Sequence, residues 1–200
     1  MPLTDSQIQE HDRIFEEAAL IKDEIQLHDR PPLPAPGWFL RRKLKRAISL
    51  FGRVVELKPD NWSAMWLVGK VYQRLGDFPY ALAWFERAHQ VNPAQPNIAR
   101  EASMCAMDLG RHDVAITFAL NATQIDPADA GLHANLALAY VLAGRVSEAQ
   151  ASIERALAGD PADKISHTIQ AIIKHFVVNG RTPPATTPEL LNYWRKHRHA

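Results

Sequence analysis

Residues 62–95 read WSAMWLVGKVYQRLGDFPYALAWFERAHQVNPAQ, and the stretches 96–129 and 130–163 repeat their pattern in the same register. Pro59, Pro93, Pro127 and Pro161 are 34 residues apart, and so are Gly76, Gly110 and Gly144. The same spacing links Ala47, Ala81, Ala115 and Ala149, and again Ala88, Ala122 and Ala156. A period near 34 is the length of a helix-turn-helix repeat. Each residue type has a physical reason to recur. Lys58-Pro59, Asn92-Pro93, Asp126-Pro127 and Asp160-Pro161 end helices, because proline cannot continue one and biases the residue before it away from helical angles. The mid-repeat glycines suit a tight turn needing a positive φ. The alanines let two helix backbones approach closely. Tyr72, Phe78, Phe85, Tyr140 and Ile153 fill the remaining space.

These residues resemble the signature of the tetratricopeptide-repeat (TPR) family. In 62–95 the matches are Gly69, Tyr72, Gly76, Phe78, Ala81, Phe85, Ala88 and Pro93, with the family's early Trp displaced by one place to Trp66 and Met65 in its slot. The unit 96–129 is more degenerate, with Ser103, Ala106, Gly110, Ala115, Ala119, Ala122 and Pro127. The unit 130–163 carries Leu136, Ala137, Tyr140, Gly144, Ala149, Ile153, Ala156 and Pro161. The resemblance covers about half of the chain. It implies an all-α helix-turn-helix solenoid of about 3.5 repeats with an N-terminal amphipathic helix and a C-terminal capping helix.

Outside the three units the pattern is partial. Residues 38–61 resemble the second helix of a repeat, with Ala47, Phe51 and Val54 ahead of Pro59. The slot for its first helix is held by the proline-rich linker 30–37, which favours an extended chain. Within the acidic segment 1–29, residues 5–28 form an amphipathic helix marked by Ile8, Phe15, Ala18, Ile21 and Ile25. Thr4 with Gln7 resembles a capping box, and Leu3 with Ile8 a hydrophobic staple. This helix is expected to fill the missing slot or to lie elsewhere on the array. Residues 164–180 continue the helical period through Ile165, Ile169, Ile172, Ile173, Phe176 and Val177, as the cap a solenoid needs over its last repeat. In the tail 181–200, Thr187 as N-cap and Pro188 as first helical residue predict a short helix through Leu190, Leu191 and Trp194, with Arg195–Ala200 frayed.

The formal net charge is +1 over 200 residues, but it is unevenly spread. Residues 1–29 hold eight acids against two bases, and 30–58 eight bases against one acid. Adjacent opposed blocks predict that the two pair with each other, whereas a nucleic-acid footprint leaves the whole domain basic. The N-terminus lacks the basic and apolar regions of a signal peptide, and no apolar run reaches the roughly 20 residues of a membrane helix. The lone Cys105 cannot form an intramolecular disulfide. The expected location is cytoplasmic, with no membrane and no nucleic-acid partner.

The resemblance also implies a site. In the TPR family, positions five, nine and twelve of each unit line a concave groove that holds peptides. On this chain they are Trp66, Lys70 and Gln73, then Arg100, Met104 and Met107, then Ala134, Leu138 and Val141, with Arg74, Asn97, Asp108 and Leu142 on the margins. One end is aromatic and cationic, the middle methionine-rich and the far end aliphatic. Such a surface suits a protein or peptide with apolar anchors and an acidic residue near one end. It departs from the carboxylate-clamp pattern of heat-shock co-chaperones, which places Asn and Lys or Arg at positions five and nine. Met and Leu at helical spacing also suit a core, and either the helix 5–28 or the tail around 190–194 suits the groove in cis.

Nine histidines invite a search for metal or catalytic chemistry, but there is no HExxH, no CxxC, and no GxSxG, P-loop or GxGxxG motif. No enzyme activity, no cofactor and no metal site is expected. Three functional expectations remain: an adaptor or scaffold binding a partner in the groove, a client-specific chaperone similar to the TPR chaperones of bacterial secretion systems, and a self-associating structural protein that forms a homodimer.

Overall fold

The computed structural model describes residues 4–24 and 35–197, all of whose regular structure is helical. No described helix is long and apolar enough to cross a membrane. The chain divides into two compact units, Met1–Pro93 and Ala94–Ala200.

The first unit holds α1 (Asp5–Glu24), α2 (Trp38–Leu57), α3 (Trp62–Leu75) and α4 (Phe78–Val91). Thr4 and Gln7 form the expected capping box: the Thr4 N–H donates to Gln7 Oε1 at 3.0 Å and the Gln7 N–H to Thr4 Oγ1 at 3.4 Å. Of the helix expected over 5–28, residues 25–28 lie outside the described residues, as do Leu3 of the staple and residues 30–34 of the proline-rich linker.

The two charged blocks meet as their adjacency predicts. α1 packs against α2 with Ile14, Ala18 and Phe51 buried, and Phe15 meets the Phe51 ring edge-on at 6.2 Å. Glu17 pairs with Arg46 and Glu10 with Arg53, the latter at 3.4 Å. Pairing 10 with 53 and 17 with 46 makes the helices antiparallel, so α1 supplies the partner that α2 lacks in its own neighbourhood. The His11 ring and the Asn61 amide, hydrogen-bonded at 3.1 Å, tie α1 to the cap of α3.

α3 and α4 form a close pair because Gly69 lets the Phe85 ring in: a Cβ there would lie 2.6 Å from the ring. Gly76, at φ 80°, ends α3 in a Schellman turn, with the Gly76 N–H on the Gln73 carbonyl and the Asp77 N–H on the Tyr72 carbonyl. In the second unit Gly110 with Arg111, and Gly144 with Arg145, repeat this pair of bonds.

The second unit contains α5 (Pro96–Asp108), α6 (His112–Ile125), α7 (Ala130–Leu142), α8 (Val146–Gly159), α9 (Lys164–Asn179) and α10 (Thr187–His197). α5 packs with α6, α7 with α8, and α8 with α9, while α7 touches both α5 and α9. The first helices α5, α7 and α9 therefore lie side by side with α7 in the middle. Two of them are started by an aspartate: Asp129 accepts from the Gly131 and Leu132 N–H groups, and Asp163 from Ile165 and Ser166. Two histidines that invite a chemical reading do structural work instead. His133 Nε2 donates to the Pro127 carbonyl at 3.0 Å, and His167, one period on, to the Pro161 carbonyl at 2.9 Å.

The tail differs from its sequence reading in two respects. The N-cap is Thr186 rather than Thr187: the Glu189 N–H donates to Thr186 Oγ1, and the Thr186 N–H to the Glu189 carboxylate. Arg195–His197 are helical rather than frayed, because the His197 ring stacks on Tyr193 at 4.2 Å and its Nδ1 bonds the Tyr193 carbonyl at 2.8 Å.

Candidate functional site

In the first unit, Trp66, Lys70, Gln73 and Arg74 lie half-buried on α3. A residue and its i+3 or i+4 neighbours share a helix face, which brings the first three together. The Lys70 ammonium sits 6.0 Å from the Trp66 ring centroid and donates to Gln73 Oε1 at 2.9 Å. The Trp66 indole N–H is buried and finds no acceptor among the described residues.

In the second unit the expected site residues separate into two groups. Asn97 is exposed, while Arg100, Met104 and Leu138 are half-buried, with the Arg100 guanidinium 3.8 Å from the Glu101 carboxylate. Met107, Val141 and Leu142 are buried instead of lining an open surface, and Ala134 is buried with them. Met107, Val141 and Leu142 occupy the turn-side ends of α5 and α7, and at that end of α5 another part of the chain comes in.

That part is the tail. After Gly180 the chain crosses back to α5. The His112 Nε2–H donates to the Ala185 carbonyl at 2.7 Å, and Gly110 faces Thr186 and Ala185. The Thr187 hydroxyl then hydrogen-bonds the Asp108 carboxylate, at the C-terminal end of α5. Burial pushes this carboxyl up to about 6, and the Thr187 bond offsets part of the rise. From that anchor α10 packs on α5, and its Tyr193 reaches α9. Tyr193 Oη and His175 Nε2 are hydrogen-bonded at 3.0 Å, and Tyr193 stacks on Phe176 at 5.4 Å. The tautomer of His175 follows from its other neighbour. The Asn179 amide nitrogen donates to Nδ1 at 3.3 Å, which leaves Nε2 as the donor to Tyr193. Trp194 meets the His175 ring edge-on at 5.8 Å.

The helix is thus anchored on α5 at its start and on α9 further along. Leu190, 1% exposed, is its buried anchor. In repeat register, the residues that α10 meets, Asp108 on α5 and His175 and Phe176 on α9, stand at positions twelve and thirteen of their units. Position nine, at Met104 and Leu138, retains accessible surface. Sequence reasoning missed His175, Phe176 and His112, although the 34-residue period extended to α9 points to the first two.

Two family models, each described as tetratricopeptide repeat, match residues 41–97 and 106–173, so that between them they span more than half of the chain. The chain is similar to the solved structure of MamA, at TM-score 0.64 and 16% identity over 78% of this chain and 87% of that one. It is also similar to YrrB, described as a TPR protein with an unusual peptide-binding site, at TM-score 0.62 and 16% identity over 78% and 81%. At these identities the likeness is one of fold. Among curated proteins, the transcription factor tau 131 kDa subunit of Saccharomyces cerevisiae is 32% identical over 73 residues, which are 36% of this chain but 7% of that subunit.

Proposed function

The chain belongs to the tetratricopeptide-repeat family, and from that premise we propose that it is a protein–protein interaction module which holds a segment of a partner on the face formed by α5, α7 and α9. One observation carries the reading: α5 and α9 of this face already hold a helix, and that helix is the chain's own α10. A surface that seats Leu190 and Tyr193 at helical spacing has the geometry of helix-in-groove recognition. The peptide-binding site named for YrrB supports the same reading by analogy of fold. The accessible part of the face, Arg100, Met104 and Leu138, offers one cation beside two flexible apolar side chains, which fits a partner segment with apolar anchors and an acidic residue at one end. On the first unit, Trp66 and Lys70 form a second aromatic-cationic surface of the same chemical preference. The role is that of an adaptor or scaffold, with no reaction of its own.

The test is affinity capture with the full chain, wild type against the double substitution Met104→Glu, Leu138→Glu, read by mass spectrometry. Both side chains are half-buried, so the substitutions are expected to leave helicity unchanged. A protein retained by the wild type and lost from the variant supports the reading. A protein retained equally by both rules this face out.

A further inference from the structure

We propose that α10 is a removable occupant of the face formed by α5, α7 and α9, and that the partner segment it gives way to is an amphipathic helix of α10's own pattern: a hydroxyl-capped start, a leucine, and an aromatic residue three positions on. The inference rests on the reading of this face as a partner site and deepens it.

Three features make α10 an occupant rather than a part of the core. Its burial is slight: of its eleven residues only Leu190 is fully buried, and the neighbouring Leu191 is 47% exposed. Every other described helix except α1 keeps at least four residues buried. A helix of eleven residues is marginal in water without tertiary support, so α10 is formed by its seat and melts when it leaves it. The third feature is the tether. Gly180, at φ 58°, ends α9, and Arg181–Thr186 carry no helix but contain Pro183-Pro184, which holds the segment extended. The tether keeps α10 close, giving it a high effective concentration that an incoming helix must overcome.

The contacts also specify what replaces it. Asp108 lies at the start of α10 and accepts from the Thr187 hydroxyl, a carboxylate at the positive end of a helix dipole. Leu190 is the helix's buried apolar side chain. Tyr193 stacks on Phe176 while its hydroxyl meets the His175 Nε2–H. A helix with Thr or Ser at its start, Leu three positions later and Tyr three beyond that makes the same three contacts.

The experiment uses the full chain and a fluorescein-labelled peptide of residues 185–197 as the probe. The chain variant Leu190→Glu, Tyr193→Ala loses the seat of its own α10, and it is expected to bind the peptide saturably at 1:1 stoichiometry. The wild-type chain is expected to bind it at least about tenfold more weakly, a difference of about 1.4 kcal/mol. The same peptide carrying Leu190→Glu binds neither. Absence of binding to the variant, or equal binding to variant and wild type, overturns the proposal. A second measurement needs no substitution. In amide hydrogen exchange on the wild type, Leu190–His197 are expected to exchange well ahead of α5 and α7, whereas exchange in step with them overturns the proposal. Failure here with a positive capture result sinks the removable helix and leaves the partner face standing. Peptide binding with equal capture by wild type and the Met104, Leu138 variant sinks the face as the site of that partner alone.

Discussion

Asp108 is the residue in which burial and function meet. An aspartate in the last turn of a helix faces the negative end of its dipole, and here burial adds to the cost of its charge. Its carboxyl is pushed from an ordinary 3.8 to about 6, so between those values the folded protein holds a proton that the unfolded chain has released. Stability from this group therefore falls as pH rises through that window, and the full cost is present above pH 6. Asparagine keeps an oxygen for the Thr187 hydroxyl without the charge. Asp108→Asn is expected to stabilise the protein by roughly 1–3 kcal/mol at pH 7.5, with the difference shrinking towards zero near pH 4. Urea unfolding at several pH values measures it. A variant less stable than wild type at pH 7.5 contradicts the assignment of burial as the dominant cause.

Among the elements, α1 separates apolar packing from charge pairing. The opposed charges of 1–29 and 30–58 made the pairing of α1 with α2 legible in the sequence, and the ion pairs Glu17–Arg46 and Glu10–Arg53 are present. Both pairs are well exposed, however, and exposed pairs contribute little. What holds α1 is Ile14 and Ala18 against α2, with Phe15 edge-on to Phe51. Ile14→Ala is therefore expected to cost ~2–5 kcal/mol, because it removes buried methyl groups from a packed seam. Arg46→Ala is expected to cost less than ~1 kcal/mol and to lose even that at high salt. Equal losses from the two substitutions would show that charge pairing docks the helix. The short α10 was legible only as a helix. Its cap is one residue earlier than Thr187 because Thr186, not Thr187, has Glu189 three positions on, the spacing of a capping box.

For the whole molecule, what the sequence discloses follows distance along the chain. The 34-residue period is a local signal, and the positive-φ glycines and proline stops that it marks recur in each helix pair. The contacts that decide the site are not periodic. Asp108 meets Thr187 and His112 meets Ala185 across more than 70 residues, and no spacing announces such a meeting. Repeat register alone therefore assigns Met107, Val141 and Leu142 to an open groove, although all three are buried. Met104 and Leu138, one turn away, keep their accessible surface. The proposed meeting place for partners is the first-helix face of the second unit. It is tested most directly by placing a photo-crosslinking amino acid in the full chain, at Leu138 in one sample and at the exposed Glu154 of α8 in another, and irradiating both in lysate. A discrete partner adduct is expected from position 138 and none from 154. An adduct from 154 alone, or the same adducts from both, would contradict it.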